Sequence, residues 1–218
     1  MRFEFIGGAL CVDFANTIHD SHAEDNEDEL RNLSDFLQWA REAGLLSLAE
    51  HDRLLAHYAR NSRAALAALS AGITTRDLVL DILSGVAGGR PVSPRRLSEL
   101  NAALARTPGL PRVHQRAGRI EMDWESAAGG LQRVQFAILT SAAQLLASDR
   151  VGSLRECASA DCTWLFVDET RNHSRRWCDM RTCGNRMKAR RHYRRSHTSA
   201  PNHRHRPASK STRRIRQS

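Results

Sequence analysis

The sequence lacks several features that would assign it to common protein classes. None of its apolar runs reaches the roughly 18 residues of a membrane-spanning helix, so we expect no transmembrane segment. The start is basic and then apolar, but Glu4, Asp13 and two glycines interrupt it, so we expect no signal peptide. There is no P-loop and no Ser/His/Asp pattern. These absences predict a cytoplasmic protein that is not an enzyme and does not contact a membrane.

Cysteine is also scarce, and its distribution is uneven. The 218 residues contain five cysteines, four of which fall between residues 157 and 183. In the reducing cytoplasm, cysteines clustered in this way indicate a metal site rather than disulfides.

Acidic residues are almost missing from the C-terminal end. Residues 171–218 contain 16 Lys and Arg but one acid, Asp179, for a net charge of +15. Residues 1–170 carry −6, which gives +9 for the whole chain. Such concentration is typical of a polyanion binder. The other interpretation is a solubilising tail, but the positive charge begins inside the cysteine cluster and not after it.

The hydrophobic pattern predicts an α+β fold in which residues 1–150 form a mostly helical domain with a small antiparallel sheet. Residues 9–17 read as a strand, and Ser34 or Asp35 could cap a first helix. Ser47 and Glu50 form a capping box that opens a long helix to about Ser70. A further helix is predicted from Thr74 or Thr75 to Leu83.

The second half of this domain has clearer signals for where helices and turns begin. Ser93 followed by Pro94 predicts a helix start, with the helix continuing to about Arg106. Residues 112–124 predict a β-hairpin that turns at Ala117-Gly118, and residues 127–148 predict a long helix. A small four-cysteine zinc finger at 151–197 follows. Residues 198–218 are nearly devoid of apolar side chains and predict a disordered basic tail.

The four clustered cysteines have the spacing C-x4-C, fifteen residues, C-x4-C. Thiolates bind Zn²⁺ strongly, and structural zinc prefers four tetrahedral ligands. The sequence therefore predicts one structural zinc ion, and Trp164 to Val167 between the pairs predict a strand that covers it. The predicted ligands are Cys157, Cys162, Cys178 and Cys183.

Other assignments of these reactive side chains stay open at this point. A two-Cys two-His set is conceivable but leaves Cys157 and Cys162 without a role, and it would use Cys178, Cys183, His192 and His197. The fifth cysteine, Cys11, is read as a buried strand residue rather than a nucleophile. His19 and His22 are read as solvated loop residues rather than a metal pair.

A cationic helix is predicted directly after the last cysteine. Asn185 could cap it, and Gly184 would let the chain turn away from the metal. Such a polar helix has little reason to form alone, so zinc would anchor its first turn. Arg181 and Arg186 could offset the charge of a four-thiolate zinc site, and Tyr193 is a further candidate contact. The residues predicted to bind nucleic acid are Arg186, Lys188, Arg190, Arg191, Arg194 and Arg195.

These residues resemble a known family. Cys183-Gly184-Asn185-Arg186, with the upstream cysteine pair, Asp168, Asn172 and Trp177, resembles the CGNR zinc finger. Gly7-Gly8, the segment 10–17 and the later segment 39–46 resemble the ABATE domain that usually precedes that finger. The resemblance implies a stress-induced transcription regulator with a zinc-dependent DNA-binding finger and an N-terminal regulatory domain that senses a ligand or partner. It names neither the effector nor the target DNA.

Three functions are compared. The first is a DNA-binding transcription regulator, whose N-terminal domain would take a small-molecule effector. The second is an RNA-binding or ribosome-associated zinc module, because an arginine-rich helix also suits RNA. The third, an enzyme, is disfavoured because four cysteine ligands leave zinc no open position for substrate. A candidate ligand pocket is assigned to Gly7, Gly8, Asp13, Asn16 and Thr17.

Overall fold

A computed structural model describes residues 2–18, 28–106, 111–116, 118–124 and 129–198. Across these ranges the chain forms seven α-helices and two separate two-stranded antiparallel sheets. None of the described helices is both long and apolar enough to cross a membrane. Of the predicted tail at 198–218, Thr198 is the last residue of a helix and the remainder lies outside the described residues, as do His19 and His22.

Helices dominate the first 150 residues and then return at the C-terminal end. A short 3₁₀ turn, Asn16–Ile18, follows the first helix, and a second, Asp149–Ser153, follows the sixth. The helices are α1 (Leu10–Ala15), α2 (Leu33–Glu42), α3 (Leu48–Ala59), α4 (Ser62–Ala87), α5 (Pro94–Ala105), α6 (Gly129–Leu146) and α7 (Asn185–Thr198).

The two sheets lie in different parts of the chain. Strands β1 (Pro111–Arg116) and β2 (Arg119–Trp124) form the predicted hairpin, with Val113 opposite Met122. Strands β3 (Leu154–Glu156) and β4 (Leu165–Val167) pair antiparallel, with Arg155 opposite Phe166. The sequence predicts β4 but gives no sign of β3, which is three residues long.

The predicted strand at residues 9–17 is wrong, because Leu10–Ala15 is helix α1. Cys11, Val12, Phe14 and Ala15 are all fully buried, so the helix has no polar face to reveal a 3.6-residue period. A short apolar run of this kind reads equally well as a buried strand. The predicted environment of Cys11 is right in its burial and wrong in its secondary structure.

Side-chain caps set the ends of α2 and α3. The predicted cap of α2 is wrong, since Asn32 accepts from the backbone N–H of Asp35 at 3.0 Å. Asp35 is instead the third helical residue and completes a capping box with Asn32. The predicted capping box of Ser47 and Glu50 is confirmed at the start of α3.

The helix predicted to run from Ser47 to about Ser70 is in fact two helices. It ends at Ala59, and Asn61 starts α4 by accepting from the N–H of Ala64 at 3.0 Å. Thr74 and Thr75 do not cap a new helix, because their hydroxyls donate to carbonyls one turn back within α4. Gly72 allows α4 to approach α2, since a Cβ there would lie 2.7 Å from the Phe36 ring.

One hydrophobic core joins the helices to the second sheet. Fully buried aromatic rings from α1 and α2 lie at its centre, with the Phe14 and Trp39 centroids 4.6 Å apart. Leu154, Leu165 and Val167 of β3 and β4 belong to the same core. Phe166, between the two core residues of β4, belongs to a second cluster that contains the four cysteines. Strand β4 is therefore a wall shared by the helical region and the cysteine cluster. The domain limits at residues 150 and 197 stay predictions.

Two arginines tie distant parts of the helical region together. Buried Arg76 of α4 donates to both carboxylate oxygens of Asp28, at 2.7 and 2.8 Å, and to the carbonyl of Thr17. Arg133 of α6 donates to Glu50 at 2.7 Å. Burial raises the pKa of Glu50, but hydrogen bonds from Ser47 and Arg133 outweigh it and hold that pKa at about 2. Glu50 is therefore an anion at neutral pH and fixes α6 against α3.

Candidate metal centre and nucleic-acid interface

Two short turns present the four clustered cysteines. Cys157 follows β3, and its N–H donates to the carbonyl of Trp164 at 2.9 Å, which closes the first turn. Within that turn the N–H of Cys162 donates to the carbonyl of Ser159 at 3.1 Å. In the second pair, Cys178 precedes a single π-helical turn, Met180–Gly184, and Cys183 lies within that turn. Each C-x4-C spacing thus corresponds to one closed backbone loop.

The four sulfur atoms converge on one point. All four Sγ atoms lie within 4.8 Å of one another, and every one of these cysteines is buried. The Sγ of Cys178 lies 3.6 Å from the Sγ of Cys162 and 3.6 Å from the Sγ of Cys183. A disulfide requires about 2.05 Å. Four thiolates at about 2.3 Å from a tetrahedral zinc would be about 3.8 Å apart. The cluster therefore fits one structural zinc ion, as the sequence predicts.

Ionisation within the cluster also favours a cation. Hydrogen bonds from the thiols of Cys162 and Cys178 lower the pKa of Cys157 to about 2. The hydrogen bond to Cys157 raises the pKa of Cys178, since its proton is shared with that thiolate. The backbone N–H of Cys178 also donates to the Cys157 sulfur at 3.4 Å. Further thiols lose their protons only when a positive charge joins them, which a bound Zn²⁺ supplies.

The alternative two-Cys two-His ligand set does not form. His192 and His197 are exposed on α7, where the His197 ring stacks on Tyr193 with a centroid distance of 3.8 Å. Over the described residues, the metal-ligating side chains that meet are the four cysteines. Cys11 stands apart from them, and burial raises the pKa of its thiol to about 11. Cys11 is thus a neutral thiol at pH 7 and a poor nucleophile.

Arg175 holds the finger together, although in the sequence it appears only as one more positive charge. Its guanidinium lies 4.3 Å from the centroid of the Phe166 ring. It donates to three backbone carbonyls, those of Ile6, Trp177 and Cys178. One side chain therefore connects the N-terminal segment, strand β4 and the second cysteine pair. A sequence motif cannot reveal this role of Arg175, because the role depends on backbone carbonyls that are far apart in the sequence.

Asp168, which the family resemblance singled out, organises the loop before Arg175. It is buried and accepts hydrogen bonds from the hydroxyl and N–H of Thr170 and from the N–H of Arg175. The hydroxyl of Thr170 and these backbone donors hold the pKa of Asp168 below its usual range. This carboxylate shapes the loop between the two cysteine pairs and lies outside the predicted ligand set.

The residues assigned to a ligand pocket lie close together, but their polar side chains form hydrogen bonds with the protein's own backbone. Asp13 accepts from the N–H of Gly7 at 2.7 Å, and burial raises the pKa of Asp13 to about 6. The amide of Asn16 bonds both the N–H and the carbonyl of Leu165, at 2.8 and 3.0 Å. The Thr17 hydroxyl donates to the carbonyl of Phe14. The polar groups of these side chains thus hold α1 and the N-terminal segment against β4, and ligand binding there stays a prediction.

Gly8 completes this contact between the N-terminal segment and β4. Its φ of 81° lies in the left-handed region that favours glycine, and a Cβ would be 3.4 Å from the Val167 side chain. The carbonyl of neighbouring Gly7 accepts from the N–H of Val167 at 2.8 Å. Gly8 is therefore favoured by its backbone conformation, and Gly7 by lack of space, since a Cβ at Gly7 would lie 2.7 Å from the Val12 side chain.

The predicted cationic helix is present as α7, but Asn185 does not cap it. Asn185 is already helical, and its side chain donates back to the carbonyl of Arg181 at 3.1 Å. Asp179 caps the preceding π turn instead, by accepting from the N–H of Arg181 at 2.8 Å. The side chain of Arg181 pairs with the same carboxylate at 3.4 Å. The structure thus places Arg181 beside Asp179.

The predicted nucleic-acid-binding residues all lie on α7, but they are not equivalent. Arg190 forms an ion pair with Asp161 of the first cysteine loop at 2.5 Å. Arg186 is half-buried, whereas Lys188, Arg191, Arg194 and Arg195 are exposed. No acidic residue occurs anywhere in the helix. The helix therefore presents a strongly positive exposed surface next to the metal centre.

Comparison with known protein families agrees with the resemblance seen in the sequence. Residues 8–149 match the ABATE family, described as "Putative stress-induced transcription regulator". Residues 153–196 match the CGNR zinc finger. No curated protein matches the chain.

Proposed function

Because the chain belongs to the ABATE family and carries a CGNR zinc finger, we propose that it is a DNA-binding transcription regulator. The observation that supports this most directly is the four-sulfur cluster at the base of α7. A metal centre there fixes the start of a helix whose exposed surface is cationic. Such a surface is suited to the phosphates of DNA.

The metal has a structural part in this proposal. Cys157, Cys162, Cys178 and Cys183 hold the zinc ion, and together they fill its four positions. Arg and Lys side chains on α7 repel one another, so the helix needs an external support to persist. The metal-bound π turn, which continues directly into α7, is that support. The protein therefore acts by binding, and no catalytic step is proposed.

Binding of duplex DNA by the full-length zinc-loaded protein tests the proposal. Fluorescence anisotropy with labelled DNA should give an affinity that falls steeply with salt, with a logarithmic slope of about −0.9 per phosphate contacted. Cys183→Ser should abolish stoichiometric zinc and weaken binding. Cys11→Ser is the matched control, since Cys11 is equally buried but lies outside the cluster. Equal binding by Cys183→Ser and wild type would remove the metal from the proposal.

RNA is the alternative partner, and the same assay separates the two. An exposed arginine-rich helix also suits structured RNA. Tighter binding to a structured RNA than to any duplex DNA of equal charge, at matched salt, would replace the DNA proposal with an RNA-binding one. The described residues contain no four-stranded sheet that could present aromatic side chains to bases.

The N-terminal helices are the proposed regulatory part. A groove of about 1000 Å³ lies between α4, α5 and α6, where Thr74, Glu99, Arg106 and Gln135 are among its lining residues. Its mixture of apolar and charged side chains suits a small molecule that carries both kinds of surface. We place the effector there, because the predicted pocket residues near Gly7 bond the protein's own backbone.

Native mass spectrometry of gently purified protein tests this placement. A small molecule retained by wild type should be lost from Ala103→Phe, which fills the groove. Ala105→Phe is the matched control, because Ala105 is on the same helix, exposed and outside the groove lining. Retention of the molecule by Ala103→Phe would place the effector elsewhere.

A further inference from the structure

Helix α7 has two unequal sides. Arg190 points toward the first cysteine loop, where Asp161 neutralises it at 2.5 Å. Arg191, the next residue, is rotated by about 100° around the helix axis. It lines a cleft on the side of Trp177. Two neighbouring arginines of the same helix are thus in opposite electrostatic situations.

The cleft lies between α7 and the segment before Cys178, and its volume is about 560 Å³. The backbone N–H of Ala158 donates to the carbonyl of Arg176 at 2.8 Å, which fixes this segment to the first cysteine loop. Its lining contains no acidic side chain. The charged and aromatic residues that line it are Arg176, Trp177, Lys188, Arg191, Arg194 and Arg195.

The shape of this charge distribution indicates an extended polyanion. Lys188, Arg191 and Arg195 are three and four residues apart, so they form a row of about 10 Å along α7. Adjacent phosphates on one strand of duplex DNA are about 7 Å apart, because the strand winds around the axis as it rises about 3.4 Å per nucleotide, so the row spans about two phosphates. Arg176 faces this row from the other wall of the cleft. A single phosphate group would meet only part of it.

Trp177 provides the aromatic wall of the cleft and is half-buried. The guanidinium of Arg176 lies 5.2 Å from the centroid of its ring. Trp39 and Trp164 are buried in the protein interior. The fluorescence of Trp177 should therefore respond to a ligand in the cleft, while that of these two tryptophans should not.

We propose that this cleft, and not the Arg190 side of α7, holds the phosphodiester backbone of one DNA strand, with Lys188 and Arg191 contacting successive phosphates. The inference rests on the proposed function and deepens it by assigning the contact surface. Backbone contacts position a protein on DNA without selecting its sequence. The cleft thus supplies affinity and orientation.

The decisive experiment compares Arg191→Gln with Arg190→Gln in the full-length zinc-loaded protein. Both residues are exposed, adjacent and equal in charge, so both variants lose one positive charge. Arg191→Gln should weaken duplex binding by about tenfold and reduce the logarithmic salt slope by about 0.9. Arg190→Gln should stay within about threefold of wild type, because Arg190 lies outside the cleft lining and its guanidinium contacts Asp161 and not a phosphate. Zinc content and circular dichroism confirm that both variants are folded.

A second readout uses fluorescence. In a Trp124→Phe background, which removes the fourth tryptophan, saturating DNA should change the emission, and the further change Trp177→Phe should remove this response while DNA affinity stays within about threefold of wild type. Equal losses for Arg191→Gln and Arg190→Gln would overturn the cleft and leave α7 an undifferentiated cationic rod. An emission change that persists in Trp177→Phe would also overturn it. If wild type binds no DNA at any salt concentration, the proposed function itself fails, which is a separate result.

Discussion

The helical region and the finger are stabilised by different means. The helical region buries a continuous set of apolar side chains from five helices, with Phe14, Phe36 and Trp39 at its centre. The finger buries few apolar side chains of its own, chiefly Trp164 and Phe166, around four sulfur atoms. A segment this short and this cationic cannot bury enough apolar surface to fold alone. Hydrophobic burial therefore stabilises one region, and metal coordination stabilises the other.

The largest expected effect is the loss of the finger when its metal is removed. Structural zinc contributes about 10–16 kcal/mol of binding free energy in isolated zinc-finger peptides. Cys178→Ser should therefore release zinc and unfold residues 171–198, so that trypsin cleaves rapidly after the arginines of this segment. The helical region should keep its helicity and its unfolding transition. Cys11→Ser, with the cluster intact, should show neither change. Loss of the helical transition in Cys178→Ser would contradict the division into two kinds of stability.

A cavity in the helical core should have the opposite effect, destabilising the helical region while the finger keeps its zinc. Phe14 is fully buried between Phe36 and Trp39. Phe14→Ala should lower the free energy of unfolding by about 3–5 kcal/mol in urea titrations. Exposed Leu66→Ala is the control and should change it by about 0.5 kcal/mol or less. The folded Phe14→Ala protein should retain one zinc ion, so zinc loss below its unfolding transition would count against this comparison.

A smaller effect is expected at the wall that the two regions share. The side chain of Asn16 forms hydrogen bonds to both the backbone N–H and the carbonyl of buried Leu165. Asn16→Ala should cost about 2–3 kcal/mol, because a buried N–H and carbonyl lose their partners. Asn101→Ala in α5 is the matched control, since Asn101 is exposed. Hydrogen exchange should show faster exchange at Leu165 in Asn16→Ala only. Unchanged protection there would show that this side chain does not connect the regions.

The smallest effect is a pH dependence at Asp13. Burial raises its folded pKa from 3.8 to about 6, so the folded state binds this proton more tightly than the unfolded state. The stabilisation is complete below about pH 4 and is lost as the pH rises through about 6. Between pH 5.5 and 7.5, the wild-type free energy of unfolding should fall by about 1 kcal/mol relative to Asp13→Asn. Parallel profiles of the two proteins in this window would exclude Asp13 as the source.

The sequence predicts the elements whose signals are local. Ser47 with Glu50 and Ser93 with Pro94 start helices as predicted, because a cap and its acceptor lie within one turn. Arg116 pairs with Arg119 and Gly118 has a positive φ of 79°, as the predicted hairpin requires, whereas Ala117 lies outside the described residues. The four cysteines are predictable for another reason. Two closely spaced cysteine pairs in one short segment supply the four ligands that a structural zinc ion requires, so the pattern itself indicates the site.

Other features depend on contacts that a single segment does not record. Five of the six residues of helix α1 are buried, so its packing against other elements, among them α2, α4, α6 and β4, decides between helix and strand. Arg175 acquires its role from carbonyls of residues 6, 177 and 178. The unequal sides of α7 depend on Asp161, about thirty residues earlier, which pairs with Arg190 and not with Arg191.

The contact of Ile6 and Gly7 with the finger has a practical consequence. These residues give their carbonyls to Arg175 and Val167, so the first few residues of the chain form part of the module near its other end. A fragment that starts after residue 150 would lack Ile6 and Gly7, and with them these two hydrogen bonds, so it is a poor choice for isolating the finger. Removal of the first seven residues would likewise take away the two carbonyls to which Arg175 and Val167 donate.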